Sequence, residues 1–199
     1  MKFRLIGLFF LIPLISLNAQ VSTDILDTSE KSQSFITLQG ITLNCIGDFK
    51  QAWKSASGGY VGFGMISSNQ WALIFQTGYL SFSPNEEMNY TGEASFNLVP
   101  LTVGTRYYIL PDIFRPFLLA NGGINLVSQK YTLDDVTVDE TRSHFHFQIG
   151  AGIGVKVSSD LEIEVLAKYN SHLLDPALPL NITGFEYGLA LDWHLDSAN

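Results

Sequence analysis

The chain has 199 residues, enough for one domain with its own core and too few for two. Its formal net charge of −8 argues against nucleic acid as a partner. A single cysteine, Cys45, excludes an internal disulfide.

The first element is an export signal over residues 1–19. Lys2 and Arg4 give a positive start, Leu5 to Leu17 form a short apolar run, and Ala19 offers a small residue for cleavage. That run falls short of the roughly 20 residues a spanning helix needs. A lipoprotein route is disfavoured, because no cysteine follows the apolar run. Removing the signal leaves a formal charge of about −10. Residues 20–34 are polar and read as a flexible lead-in, and residues 35–199 form the remaining domain.

From there the hydrophobic period is two. Strands are predicted over 35–48, 58–66, 71–82, 94–109, 116–128, 145–157, 161–169 and 185–195. The last three alternate most regularly. Phe145, Phe147, Ile149, Ala151, Ile153 and Val155 oppose His144, His146, Gln148, Gly150, Gly152 and Gly154. Ile163, Val165 and Ala167 oppose Glu162, Glu164 and Lys168, while Leu189, Leu191 and Trp193 oppose Gly188, Ala190 and Asp192. Connections alternate between short turns (67–70, 110–115, 158–160) and longer polar loops (49–57, 83–93, 129–143, 170–184). Short turns on one side and long loops on the other, with an even strand count, predict an all-β, eight-stranded antiparallel up-and-down transmembrane β-barrel. No later segment could cross a bilayer as a helix, so membrane residence requires a closed barrel.

Periodicity alone does not say which face is outside, and a soluble, lipocalin-like periplasmic ligand carrier would show the same alternation reversed. Three features favour lipid outside. Glycines dot the polar face, as in the crowded interior of a narrow barrel. Aromatic residues, including Trp71, Tyr107, Tyr169, Phe185 and Trp193, gather towards strand ends. The strands are also long enough to cross when tilted.

Pro100-Leu-Thr-Val-Gly-Thr-Arg-Tyr-Tyr108 and Arg115-Pro-Phe-Leu-Leu-Ala-Asn-Gly-Gly123 resemble a strand pair of the eight-stranded outer-membrane β-barrel family, the small OmpA/OmpX-like barrels. Glu186, Gly188, Leu191 and Trp193 resemble that family's barrel-assembly signal, although the chain continues to Asn199 instead of stopping at an aromatic. The resemblance covers roughly residues 35–195 and implies architecture and sorting to the cell outer membrane. It implies outer-membrane lipid as surroundings and the barrel-assembly machinery as a partner during biogenesis. It implies no activity, and names no partner for the external loops.

With the polar parity inward, Arg106, Lys156, Glu162, Glu164 and Asp192 share the lumen near the short turns. Buried charges must pair, so these residues read as an ion-pair network, with a narrow ion gate as the sharper alternative. Eight strands enclose space only for side chains, which argues against a wide pore. Ser171, His172 and Glu186 could supply nucleophile, base and orienting acid for a lipid-modifying hydrolase. Barrels resembling lipid A deacylases carry such a triad, but there the histidine precedes the serine by two, where Tyr169 stands here. His144 and His146 share a parity and could approach one metal, but Cys45 is assigned to the opposite face and no third ligand follows. Asp134, Asp135, Asp139 and Glu140 read as a solvated acidic loop. The expectation is therefore a protein that is not an enzyme, without metal or cofactor, with a plugged lumen and a structural or cell-surface role carried by its loops.

Overall fold

Alternating side chains on neighbouring strands pair row by row until the sheet meets itself. The structure is a computed structural model that describes residues 33–68, 70–88, 90–110, 112–133, 136–172 and 182–195. The expected signal at 1–19 lies outside the described residues, as does nearly all of the lead-in. The strands are β1 (Gln33–Ile46), β2 (Trp53–Ser68), β3 (Trp71–Pro84), β4 (Ser95–Tyr108), β5 (Phe114–Leu133), β6 (Val136–Lys156), β7 (Leu161–His172) and β8 (Thr183–Leu195). A single-turn helix, α1 (Phe49–Ala52), lies between β1 and β2. Each strand pairs antiparallel with the next, and β8 pairs with β1 to close the barrel.

The number and order of the strands match the sequence reading, while α1 is an addition and several boundaries differ. β1 stops at Ile46 because Gly47 turns the chain with φ 67°. The expected loop 49–57 is α1 followed directly by β2, whose residues Ser55–Ser57 find ladder partners on both β1 and β3. The expected loop 129–143 is instead mostly strand, since β5 and β6 stay paired out to Leu133 opposite Val136. Tyr131, Thr132, Val136, Thr137 and Val138 are β-branched or aromatic, and this preference outweighs the segment's charge.

The face assignment decides between a membrane barrel and a soluble carrier. The apolar set points outward: Leu38, Phe145 and Leu189 are 59%, 67% and 63% exposed. The polar set points inward, where Thr37, Glu162, Glu164, Glu186 and Asp192 are fully buried. That orientation corrects the ligand-carrier alternative, because the continuous apolar face is the outer one and the buried charges line the lumen. Interior glycines make room for side chains from other strands. A Cβ on Gly152 would lie 2.4 Å from the Phe117 ring, and one on Gly154 would lie 1.8 Å from Glu162 Oε1. Cys45 is also corrected, since it turns inward and is 3% exposed. β1 carries apolar residues on both faces, with Phe35, Ile41 and Leu43 inside and Ile36 and Leu38 outside, so hydrophobicity does not mark its inner parity.

Candidate functional site: lumen and mouth of the barrel

The lumen holds layers of different chemistry. At the turn end, Arg106 reaches from β4 to Glu164 on β7 at 2.5 Å and Asp192 on β8 at 2.7 Å. Its guanidinium also lies 4.9 Å from the Phe117 ring centre and 5.6 Å from that of Phe35. Arg115, on β5, reaches Glu162 at 2.7 Å and stacks 3.8 Å over Tyr108. His194 Nε2 lies 3.3 Å from the same Glu162 carboxylate. Three carboxylates thus share two guanidiniums and an imidazole where water cannot screen them, which makes their geometry energetically important. Lys156, expected in this group, is half-buried and joins no ion pair among the described residues. Arg115 and His194 take part instead. Arg115 falls in the expected turn 110–115, whereas β5 already begins at Phe114, so the sequence reading assigns it no face.

An apolar cluster that includes Phe35, Ile74, Tyr108, Phe117 and Leu166 packs around these pairs. A second polar group follows, centred on Glu186. Lys168 pairs with its carboxylate at 2.5 Å, while Tyr60 Oη and Asn170 Nδ2 donate to it at 2.9 and 3.0 Å. Gln148 Nε2 donates to Asn170 Oδ1 at 2.5 Å, and Asn121 Nδ2 donates to Gln148 Oε1 at 3.0 Å. Lys168 Nζ also lies 4.5 Å over the Tyr60 ring. Sequence periodicity places Gln148, Lys168 and Glu186 on the lumen parity, but not Tyr60, Asn121 or Asn170, and gives no sign that Lys168 and Glu186, direct ladder partners, form a separate cluster.

At the loop end, α1 folds Phe49 and the adjoining Trp53 into an aromatic cluster. Phe49 packs 5.5 Å from Phe82 and 5.2 Å from Phe96 between ring centres. Trp53 meets Phe96, Tyr90 and Tyr131 at 5.3, 5.7 and 6.3 Å. The β3–β4 connection holds α1 down. Asn85 Nδ2 donates to Gln51 O and Asn85 N to Ala52 O, both at 2.8 Å, and Tyr90 Oη donates to Ala52 O at 3.1 Å. Burial, with the Tyr131 phenol beside it, pushes the Tyr90 hydroxyl above its ordinary pKa. Cys45 packs within this apolar layer.

The remaining candidates separate. Ser171 is paired with Phe147 and Thr183 on an outward row, whereas Glu186 is fully buried in the lumen, so the structure does not bring them together. The side chain of His172 lies outside what the structure describes. His144 and His146 both point inward and are buried, and no group of three potential metal ligands forms among the described residues. Of the acidic loop, Asp134 and Asp135 lie outside the described residues. Asp139 faces Lys130 across the ladder, and Glu140 accepts from Gln129 and pairs with Arg142 at 2.7 Å. Within the final strand, Glu186 and Gly188 belong to the inward row, while Leu191 and Trp193 face outward at 46% and 57% exposure.

An apolar outer wall around a closed ring of eight strands is what a membrane barrel presents to lipid, and the family model for the outer membrane protein beta-barrel domain matches residues 9–193. The chain belongs to that family. It is a protein of the cell outer membrane, and its outer wall faces lipid. Among solved structures, Ail, the attachment invasion locus protein of Yersinia pestis, matches with a TM-score of 0.52 at 16% identity, covering 82% of this chain and 97% of that one. Neisserial surface protein A matches with a TM-score of 0.54 at 13% identity, covering 81% and 96%. OprG from Pseudomonas aeruginosa matches with a TM-score of 0.51 at 11% identity, covering 83% and 97%. Identities this low carry the likeness of fold alone. No curated protein sequence matches the chain.

Proposed function

We propose that this outer-membrane barrel has a plugged lumen, catalyses no reaction, and works at the cell surface through its loops. The observation that carries the reading is the filling of the lumen. The turn-end ion pairs, the Lys168–Glu186 cluster and the aromatic layer under α1 follow one another along the axis. Ions passing through would have to break buried pairs and displace Phe49 and Trp53, and buried pairs are strongly unfavourable to break. With the interior so occupied, specificity falls to the loops. Among the described residues the paired hairpin of β5 and β6 is the most extended feature there, since β7 joins β6 only from His146 towards the turn end. The short turns face the periplasm and the long loops the exterior in this reading. The Glu186, Gly188, Leu191 and Trp193 strand is what the assembly machinery reads. Ail, whose name records attachment, shares the fold and gives a precedent for surface contact on it.

The full chain in planar bilayers tests the plug: the expected result is no conductance above background, and steady ion current would overturn it. Cells displaying the chain test the surface role. Retention on a host-cell layer should fall when residues 132–137 are replaced by Asn-Gly, and unchanged retention would sink the assignment of contacts to this hairpin.

A further inference from the structure

The apolar band on the outer wall is not of equal height around the barrel. On β1 the outward residues run Ser34, Ile36, Leu38, Gly40, Thr42, Asn44, so only two are large and apolar. On β2 the apolar run is Met65, Phe63 and Val61, followed by Gly59 and Ser57. On the opposite side, β5 stays apolar from Phe114 through Leu118 and Ile124 to Leu126, and the β6 side from Val157 through Ile149 to Phe145. Each two-residue step along a tilted strand rises about 5 Å. The band is therefore roughly 5–10 Å tall on β1–β2 and roughly 30 Å on β5–β6, against about 25 Å for outer-membrane barrels generally.

From β1 to β5 the upper boundary of this band is itself a ladder row, while on β8 the outward Tyr187 and Phe185 stand opposite Thr42 and Asn44. Thr42, Ser57, Ser81, Asn97 and Ser128 are successive register partners from β1 to β5. Because the strands tilt, such a row climbs as it crosses them. It sits eight residues beyond Ser34 on β1 and fourteen beyond Phe114 on β5. Tilting the whole barrel cannot level it. The turn-end edge is already level, with Trp71, Tyr107, Phe114 and Trp193 at or next to the first outward position of their strands. Lowering the tall side at the loops would push it out of the bilayer at the turns.

We infer that the protein thins the bilayer beside its β1–β2 wall, drawing lipid headgroups and water of the loop-side leaflet down to Thr42 and Ser57. A hydrophobic stretch shorter than the bilayer is commonly met by local thinning, at modest cost. The residues offered are neutral hydroxyls and an amide beside the facing Gly40–Gly59 pair, which suit headgroups and water rather than acyl chains. A second copy of the chain is a poor occupant: two strands about 10 Å across and about 15 Å tall present roughly 150 Å², well under the roughly 800 Å² per partner of a stable interface. The inference does not depend on what the loops bind.

The test places a nitroxide label at Thr42→Cys and, separately, at Leu126→Cys, each in the full chain carrying Cys45→Ser. Both are folded into dioleoylphosphatidylcholine vesicles, and each is checked for a closed barrel by its heat-dependent gel shift. Counted from the turns, Leu126 lies four residues farther out than Thr42, so a level band would make Leu126 the wetter site. The thinned bilayer reverses that order: collision with a water-soluble nickel chelate should be severalfold greater at 42, and collision with oxygen greater at 126. The opposite order would overturn the inference. So would a label at 42 shielded from both reagents, which would mean that protein covers the wall. If Thr42→Cys fails to fold, Ser57→Cys, its ladder partner, carries the same test.

Discussion

Replacing Arg106 by methionine probes the lumen most directly. Arg106 is 2% exposed and is the partner of both Glu164 and Asp192. Methionine keeps most of the volume against Phe35 and Phe117 but removes the charge, leaving two carboxylates facing each other in a dry interior. Breaking a buried pair by removing one partner costs about 3–5 kcal/mol, and the lost stacking over Phe117 adds about 0.5–2 kcal/mol. A loss near the top of the first range is therefore expected. Urea unfolding of the barrel in vesicles reads it, followed by the fluorescence of the lipid-facing Trp71 and Trp193. The triple change Arg106→Met, Glu164→Gln and Asp192→Asn removes the stranded charges along with the arginine, and should recover most of the loss. The reasoning fails if Arg106→Met stays within about 1 kcal/mol of the parent, or if the neutral triple variant is the less stable of the two.

Three other results follow from the packing. Gly154→Ala places a Cβ on Glu162 Oε1 and should cost about 1–3 kcal/mol, whereas Gly40→Ala meets nothing within 4 Å and should be neutral in the same unfolding assay. Cys45 should resist a maleimide in the folded barrel and react once urea unfolds it; prompt labelling of the folded form would contradict its place in the loop-end apolar layer. Asn85→Ala removes the side-chain bond to Gln51 O and should cost about 1 kcal/mol. It should also speed amide exchange in α1, and unchanged exchange would show that Asn85 does not hold the helix down.

Much of this was legible because a barrel wall has the simplest sequence code available: one side chain in, one out. In β6, β7 and β8 the two faces differ in chemistry, so parity identifies the lumen residues without coordinates. β1 defeats that code, since it is apolar on both faces, and Cys45 was turned the wrong way for this reason. Partnering is harder than direction. Arg106, Glu164 and Asp192 sit on three strands, and only a closed ring with a fixed register sets one guanidinium between two carboxylates. Lys156 has the right parity and lies next to Glu162 in the ladder, yet Arg115 takes that carboxylate from two strands away, over Gly154 of β6. Ser171 and Glu186 show the converse: closeness in sequence put them at one end of the barrel, and the wall then divided them.

The hairpin of β5 and β6 raises the question of whether a surface role can be removed without unfolding the barrel. Tyr131 and Val138 face each other in the ladder, so joining them through Asn-Gly in place of residues 132–137 continues the hairpin with a favoured two-residue turn. Tyr131 stays against Trp53 and Tyr90, and the aromatic layer keeps its members. What is lost is the end of the ladder and the bond from Thr91 N to Thr132 O, about 1 kcal/mol by ordinary hydrogen-bond worth. The lumen clusters lie on residues the change leaves in place. Unfolding in urea should therefore move by about 1 kcal/mol or less while host-cell retention falls. If stability and retention collapse together, the hairpin belongs to the folding core, and the loss of retention says nothing about contact. A fall in retention alone would mean that the wall and lumen hold the barrel, leaving the hairpin free to meet another surface.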